Sequence, residues 1–173
     1  LIAAAGSIPP LVELLCDGSA YAKLSAAWAL RNLARLENNK VLIAEAGGIP
    51  PLVELLRDGS ADARWHAACA LGVIAFNNDD NQALIAEAGG IPLLVELLRE
   101  GRTDEVSAHA LHNLAYNNDA NKVAVAVAGG IPPLVELLRD GSAQAKRWAA
   151  RALSCIAYNN DANKVAVAVA GGI

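Results

Sequence analysis

The sequence predicts an all-α solenoid, and three observations predict it. The first is a returning string: GSIPPLVELL from Gly6, GGIPPLVELL from Gly47, GGIPLLVELL from Gly89 and GGIPPLVELL from Gly129. Gly171-Gly172-Ile173 opens another copy. The isoleucines Ile8, Ile49, Ile91, Ile131 and Ile173 step by 41, 42, 40 and 42 residues. That period is too long for the repeat classes with units of about 33 or 34 residues. The second observation is composition. Alanine is abundant, Met is absent and aromatics make up only 4% of the chain. Small side chains let helices approach closely, and Ala is the strongest helix former. The third is apolar spacing of three and four within each unit, the signature of one buried helix face.

Each unit divides into three predicted helices. The first is short: Asn39–Ala46, Asn81–Ala88, Asn121–Ala128 and Asn163–Ala170. Its leading Asn/Asp residues are expected to cap free N–H groups, and its closing Gly pair is expected to turn left-handed. Val123–Ala128 alternates Val and Ala and alone could pass for a strand, but the aligned VLIAEAGG and ALIAEAGG lack the alternation. The second helix opens on proline (Pro9, Pro50, Pro92, Pro132), which suits a first turn because no N–H is lost. Leu52, Val53, Leu55 and Leu56 mark its buried face, and Glu13, Glu54, Glu96 and Glu136 its solvated one. A Gly-Ser pair then stops the second helix and caps the third. Unit three has Gly101-Arg102-Thr103 in its place. The third helices are placed at Ala20–Leu36, Ala61–Phe76, Asp104–Tyr116 and Ala143–Tyr158, with a buried stripe such as Ala110, Leu111 and Leu114. The divisions are a partial unit at 1–37, full units at 38–77, 78–117 and 118–159, and a lone first helix at 160–173. Residues 117–131 and 159–173 are the same string, NNDANKVAVAVAGGI, which fits either recent duplication or consensus design.

Composition narrows function. A net charge of −4 argues against general nucleic-acid binding, which needs a strongly basic surface. No apolar run approaches the ~18–20 residues of a membrane helix, and Leu1–Ala5 lacks the basic start of a signal peptide. Three cysteines (Cys16, Cys69, Cys155) are an odd number, read as reduced thiols of a cytoplasmic or nuclear protein. There is no phosphate-cradling Gly loop, and Asp17, Asp58 and Asp140 sit beside turn glycines where capping accounts for them. The expectation is a non-catalytic chain without a cofactor. His66 with Cys69 and His109 with His112 are pairs three apart on neighbouring helices. Helix axes ~8–10 Å apart and an offset of one turn argue against their sharing a zinc ion.

The pattern G-G-I-P-P-L-V-x-L-L followed by A-L-x-N-L-A resembles the armadillo-repeat family, of which β-catenin-type and importin-α-type arrays are members, and the likeness covers the whole chain. It implies a right-handed solenoid whose third helices line a concave groove for an extended peptide. In that family asparagines bond the peptide backbone and tryptophans one turn earlier form pockets. Carried over, the asparagine positions are Asn32, Val73, Asn113 and Cys155, and the tryptophan positions Trp28, Cys69, His109 and Arg151. Only Trp28 with Asn32 keeps both. Helical spacing adds Ser25, Arg31, Arg35, His66, Gly72, Phe76, Val106, His112, Tyr116, Trp148, Ser154 and Tyr158 as groove positions. None of these is acidic, so the expected groove is basic and its expected partner an extended acidic or phosphorylated protein segment with apolar anchors. Two alternatives stand beside this: an importin-α-like receptor for basic nuclear signals, and the targeting arm of a larger enzyme such as a U-box ubiquitin ligase. Neither end has the polar face of a capping repeat, so either a longer array or end-to-end self-association is also expected.

Overall fold

The computed structural model of the chain describes residues 6–101 and 104–171. The expected helix remnant at 1–5, the Arg102-Thr103 turn and the last two residues lie outside them. Twelve α-helices are found among the described residues, and no strand. Second helices of the units are α1 (Ile8–Asp17), α4 (Ile49–Asp58), α7 (Gly90–Glu100) and α10 (Ile131–Asp140). Third helices are α2 (Ala20–Leu33), α5 (Ala61–Ala75), α8 (Asp104–Ala115) and α11 (Ala143–Ala157). First helices are α3 (Glu37–Glu45), α6 (Asp79–Glu87), α9 (Asp119–Val127) and α12 (Asp161–Val169). Val123 to Val127 is helical, with Ala128 as the C-cap, as the aligned copies indicated.

The punctuation acts as its chemistry requires. Ser19, Ser60 and Ser142 each accept a bond from the backbone N–H three residues on, closing the starts of α2, α5 and α11. Each Gly pair meets two demands. Gly129 turns left-handed at φ 73°. A Cβ on Gly130 would stand 2.8 Å from Val125 Cγ1, inside contact distance. The third helices stack in one layer, α2 on α5 on α8 on α11, and each packs on the second helix of its own unit. Alanine makes that stacking close: Ala27, Ala67, Ala68, Ala108, Ala149 and Ala152 are fully buried.

One expectation is corrected. Asn39, Asn81, Asn121 and Asn163 do not cap the first helices. These helices begin two residues earlier, and Asn78, Asn118 and Asn160 are the caps. The asparagine just before each cap (Asn77, Asn117, Asn159) takes a left-handed turn at φ near 54°, a conformation Asn tolerates better than most residues. The later asparagines are buried instead. Asn81 Nδ2 donates to Lys40 O and Ile74 O, each at 3.3 Å. Asn121 Nδ2 donates to Gln82 O at 3.4 Å and Leu114 O at 2.9 Å. Each bond set ties a first helix to both the third helix and the first helix of the preceding unit.

The next residue along is a second bolt. Lys40 is 1% exposed, and its Nζ donates to Phe76 O at 2.6 Å while pairing with Glu37. Gln82 donates to Asn113 O and Tyr116 O, and Lys122 to Tyr158 O. Each thus satisfies carbonyls at the C-terminus of its own unit's third helix, where the two lysines also place a positive charge against the helix dipole. At the equivalent position Lys164 meets no third-helix carbonyl among the described residues, and it is exposed and paired with Asp161. Lys and Gln hold equivalent places, so Gln82→Lys is expected to change unfolding free energy by under ~1 kcal/mol in urea titration. Asp79 stands where Asp119 pairs with Lys122. A loss several times larger would show the position is not interchangeable.

Candidate functional site

The third-helix layer carries two clefts along its length. One of about 500 Å³ is bounded by Arg35, Val73, Phe76, His109, Asn113, Trp148 and Arg151. The other, of about 540 Å³, lies between α8 and α11 and is bounded by His112, Tyr116, Asn117, Lys122, Arg151, Ser154 and Tyr158. Most of the sequence-derived groove positions therefore come together on one face. Glu37 also enters the first cleft wall. It comes from a first helix rather than a third, which is why groove spacing alone missed it, and Lys40 neutralises it.

The asparagine positions divide. Asn113 is buried, donating to Gly72 O at 2.8 Å and lying 3.1 Å from His109 Nε2, while its Oδ1 has no partner. Cys155 takes the same place in the next unit, with Sγ 4.0 Å from His112 O. In α8 and α11 this column therefore ties the third helix to the one before it; Val73 on α5 makes no such bond. Among the described residues Asn32 packs against no earlier third helix, and it is exposed with its amide free. Trp28 is 54% exposed, its ring 6.0 Å from His66.

The other two tryptophans are occupied. His109 stacks on Trp148 at 3.9 Å between centroids, and the guanidinium of Arg151 lies 5.0 Å from the same ring. Arg147 approaches it at 5.6 Å. Arg31 lies 5.0 Å from the ring of Trp65, which His66 meets edge-on. Trp65 and Arg147 escaped the sequence reading. Trp65 sits one turn before Cys69, a spacing that could have found it. These rings serve as platforms that orient cations. Among the described residues, Arg31, Arg35, Arg147 and Arg151 have no carboxylate partner, whereas Arg57 and Arg64 do.

Histidine does not contribute to this charge at neutral pH. Burial, then the positive charges of His112, Arg151 and Arg31, push His109 down to about 4. Burial and Arg151 lower His112, with a backbone hydrogen bond at Arg151 opposing. Burial and Arg31 lower His66, with Asp62 opposing. Burial lifts the Cys69 thiol to about 11 and raises that of Cys155, so neither is a ready nucleophile. The basic character predicted for the groove thus rests on arginine alone. His66 and Cys69 share α5, and His109 turns onto Trp148. Among the described residues no group of three or more His, Cys, Asp or Glu is placed to hold a metal ion. No single described helix is long and apolar enough to cross a membrane.

The architecture is that of a helical-repeat solenoid with three helices in each complete unit. Residues 8–115 match the HEAT-repeat family and residues 118–157 the armadillo/β-catenin-like repeat. The chain belongs to this armadillo/HEAT family, and its three-helix units and near-exact repeat make it a consensus-like armadillo array. No curated protein matches it. It is similar to the crystal structure of an engineered protein at 35% identity and TM-score 0.93, covering 99% of this chain and 72% of that one. It is also similar to a designed armadillo repeat protein in complex with the peptide (KR)4, at 32% identity and TM-score 0.90, over 98% and 72% of the two chains. A third likeness is to computationally designed armadillo repeat proteins for modular peptide recognition, at 29% identity and TM-score 0.88, over 95% and 70%.

Proposed function

We propose that this chain is a non-catalytic scaffold that holds an extended acidic protein segment along its third helices. The observation that carries this is the set of arginines without carboxylate partners, three of them laid over tryptophan rings. Guanidinium groups held in a plane present paired N–H donors that match a carboxylate. The two clefts and the exposed Trp28, Phe76, Tyr116 and Tyr158 supply apolar contact for the segment's other side chains. The designed relative with (KR)4 holds a basic peptide. In this chain Arg31, Arg35 and Arg151 would face such a peptide with like charge, which favours the acidic partner. Asp62 and Glu105 lie on the first turns of α5 and α8, at one edge of the layer, where the helix dipole accounts for them.

Fluorescence anisotropy with ~12-residue peptide libraries of graded net charge tests the proposal. Affinity is expected to rise with ligand Asp/Glu content and to fall with added salt. A combined Arg31→Ala/Arg35→Ala/Arg151→Ala variant is expected to bind acidic peptides at least about tenfold more weakly, since charge-assisted bonds contribute roughly 1 kcal/mol or more in a partly dry groove. Affinity that rises with ligand Lys/Arg content would overturn the acidic reading in favour of a basic signal.

A further inference from the structure

We propose that the cleft between α8 and α11 is a subsite for one phosphorylated serine or threonine side chain of the bound segment. This rests on the acidic-segment reading above and adds to it the group recognised and its place.

The walls of this cleft carry donors and no carboxylate: Arg151, Lys122, Ser154, Asn117, Tyr116 and Tyr158 are all present. The other groove cleft includes Glu37. Arg151 is exposed, has no acidic partner, and is held over Trp148, so its guanidinium edge is oriented before any ligand arrives. The ammonium of Lys122 is fixed in the wall by Asp119 and by Tyr158 O. Asn117 is locked in a left-handed turn at φ 55°. Ser154 is exposed in the turn after Arg151, on the same helix. A carboxylate has two oxygens in one plane and is satisfied by a single guanidinium. A phosphomonoester carries three terminal oxygens and nearly two charges. It needs donors converging from more than one direction, which two facing helices provide here.

The repeat itself supports the choice. Arg151 corresponds to His109, Cys69 and Trp28 in the other units, and Ser154 to His112, Gly72 and Arg31. The scaffold needs none of these identities, since stacking is maintained by alanines, asparagines and the Lys/Gln bolts that recur. Lys122 and Asn117 belong to the recurring frame, whereas the pairing of Arg151 with Ser154 is peculiar to the α8–α11 pair. Its volume of about 540 Å³ admits a phosphorylated side chain together with the backbone that bears it.

The test uses three libraries of acidic ~12-residue peptides, identical except for a fixed central phosphoserine, serine or glutamate. Anisotropy is expected to show the phosphoserine library binding about tenfold tighter than serine, with glutamate between. Arg151→Ala and Ser154→Ala are expected to shrink that ratio towards one. Arg31→Ala, two units away, is expected to weaken all three libraries and leave the ratio intact. Circular dichroism would verify that these surface variants fold. Equal binding of the three libraries would overturn the subsite while leaving the acidic groove standing. A ratio unmoved by Arg151→Ala would do the same. No binding of any library would remove both readings. Inorganic phosphate that displaces the phosphoserine library at equal concentration would show a bare anion site and overturn the peptide assignment.

Discussion

Asn121→Leu is expected to lower unfolding free energy by roughly 2–4 kcal/mol, although Asn and Leu have similar reach. Asn121 is 4% exposed. Its amide donates to Leu114 O, one of the carbonyls left unpaired at the C-terminal end of α8, and to Gln82 O in the preceding unit. Leucine leaves the Leu114 carbonyl buried without a donor. That penalty exceeds the net worth of an ordinary hydrogen bond because water cannot reach in to replace it. For a chain of this size the melting temperature should fall by ~6–12 °C. Each unit contacts only its neighbours, so the lost bond also weakens the joint between two units. Unfolding followed by circular dichroism in urea should therefore broaden as well as shift. Asn38→Leu, at an exposed first-turn position of α3, is the matched control and should stay within about 0.5 kcal/mol. Equal effects at the two positions would show that Asn121 does not join the units.

That asparagine also marks the limit of what the sequence displays. Asn, Ser, Gly and Pro signal helix ends through local chemistry, and the ends at Ser60, Gly129 and Pro132 were legible on that basis. The same local reasoning placed Asn121 at a cap, because the bond to Gln82 O spans 39 positions and leaves no local trace. Lys40 and Lys122 were hidden for a related reason. Lysine is normally solvated, and only the approaching end of the next third helix gives it a buried acceptor. In the groove, helical spacing gathered Trp148, Arg151, His109 and His112 correctly onto one surface. It could not show that His109 and Arg151 occupy the Trp148 ring, so that this tryptophan orients an arginine rather than opening a pocket. Spacing gives direction from one helix, whereas these contacts depend on the neighbour.

Acid should weaken the fold through His109, whose proton affinity is lowered first by burial and then by the positive field of the groove. In the native chain His109 titrates near 4, against 6.5 for a free imidazole. Between those values the unfolded chain binds the proton and the folded chain does not. Stability from this group is therefore complete above pH 6.5 and is lost as pH falls towards 4. A shift of that size corresponds to ~3 kcal/mol, or about 2 kcal/mol after discounting for the half-buried ring's remaining contact with water. His109→Phe keeps a ring on Trp148 but cannot take a proton. The variant should lose about 2 kcal/mol less than the parent between pH 7 and pH 4, measured by urea titration across that range. Parallel pH profiles for the two proteins would show that His109 is not the sensor. After burial, the causes of its shift are the charges of His112, Arg151 and Arg31, and the two arginines are those assigned to the acidic ligand. A bound carboxylate or phosphate would cancel part of that field and raise the His109 value. By linkage, binding of an acidic segment must then take up protons and tighten as pH falls from 6 to 5, whereas binding of a basic segment must release them. Proton uptake measured during titration, compared between parent and His109→Phe, would read the sign of the ligand's charge independently of any peptide library.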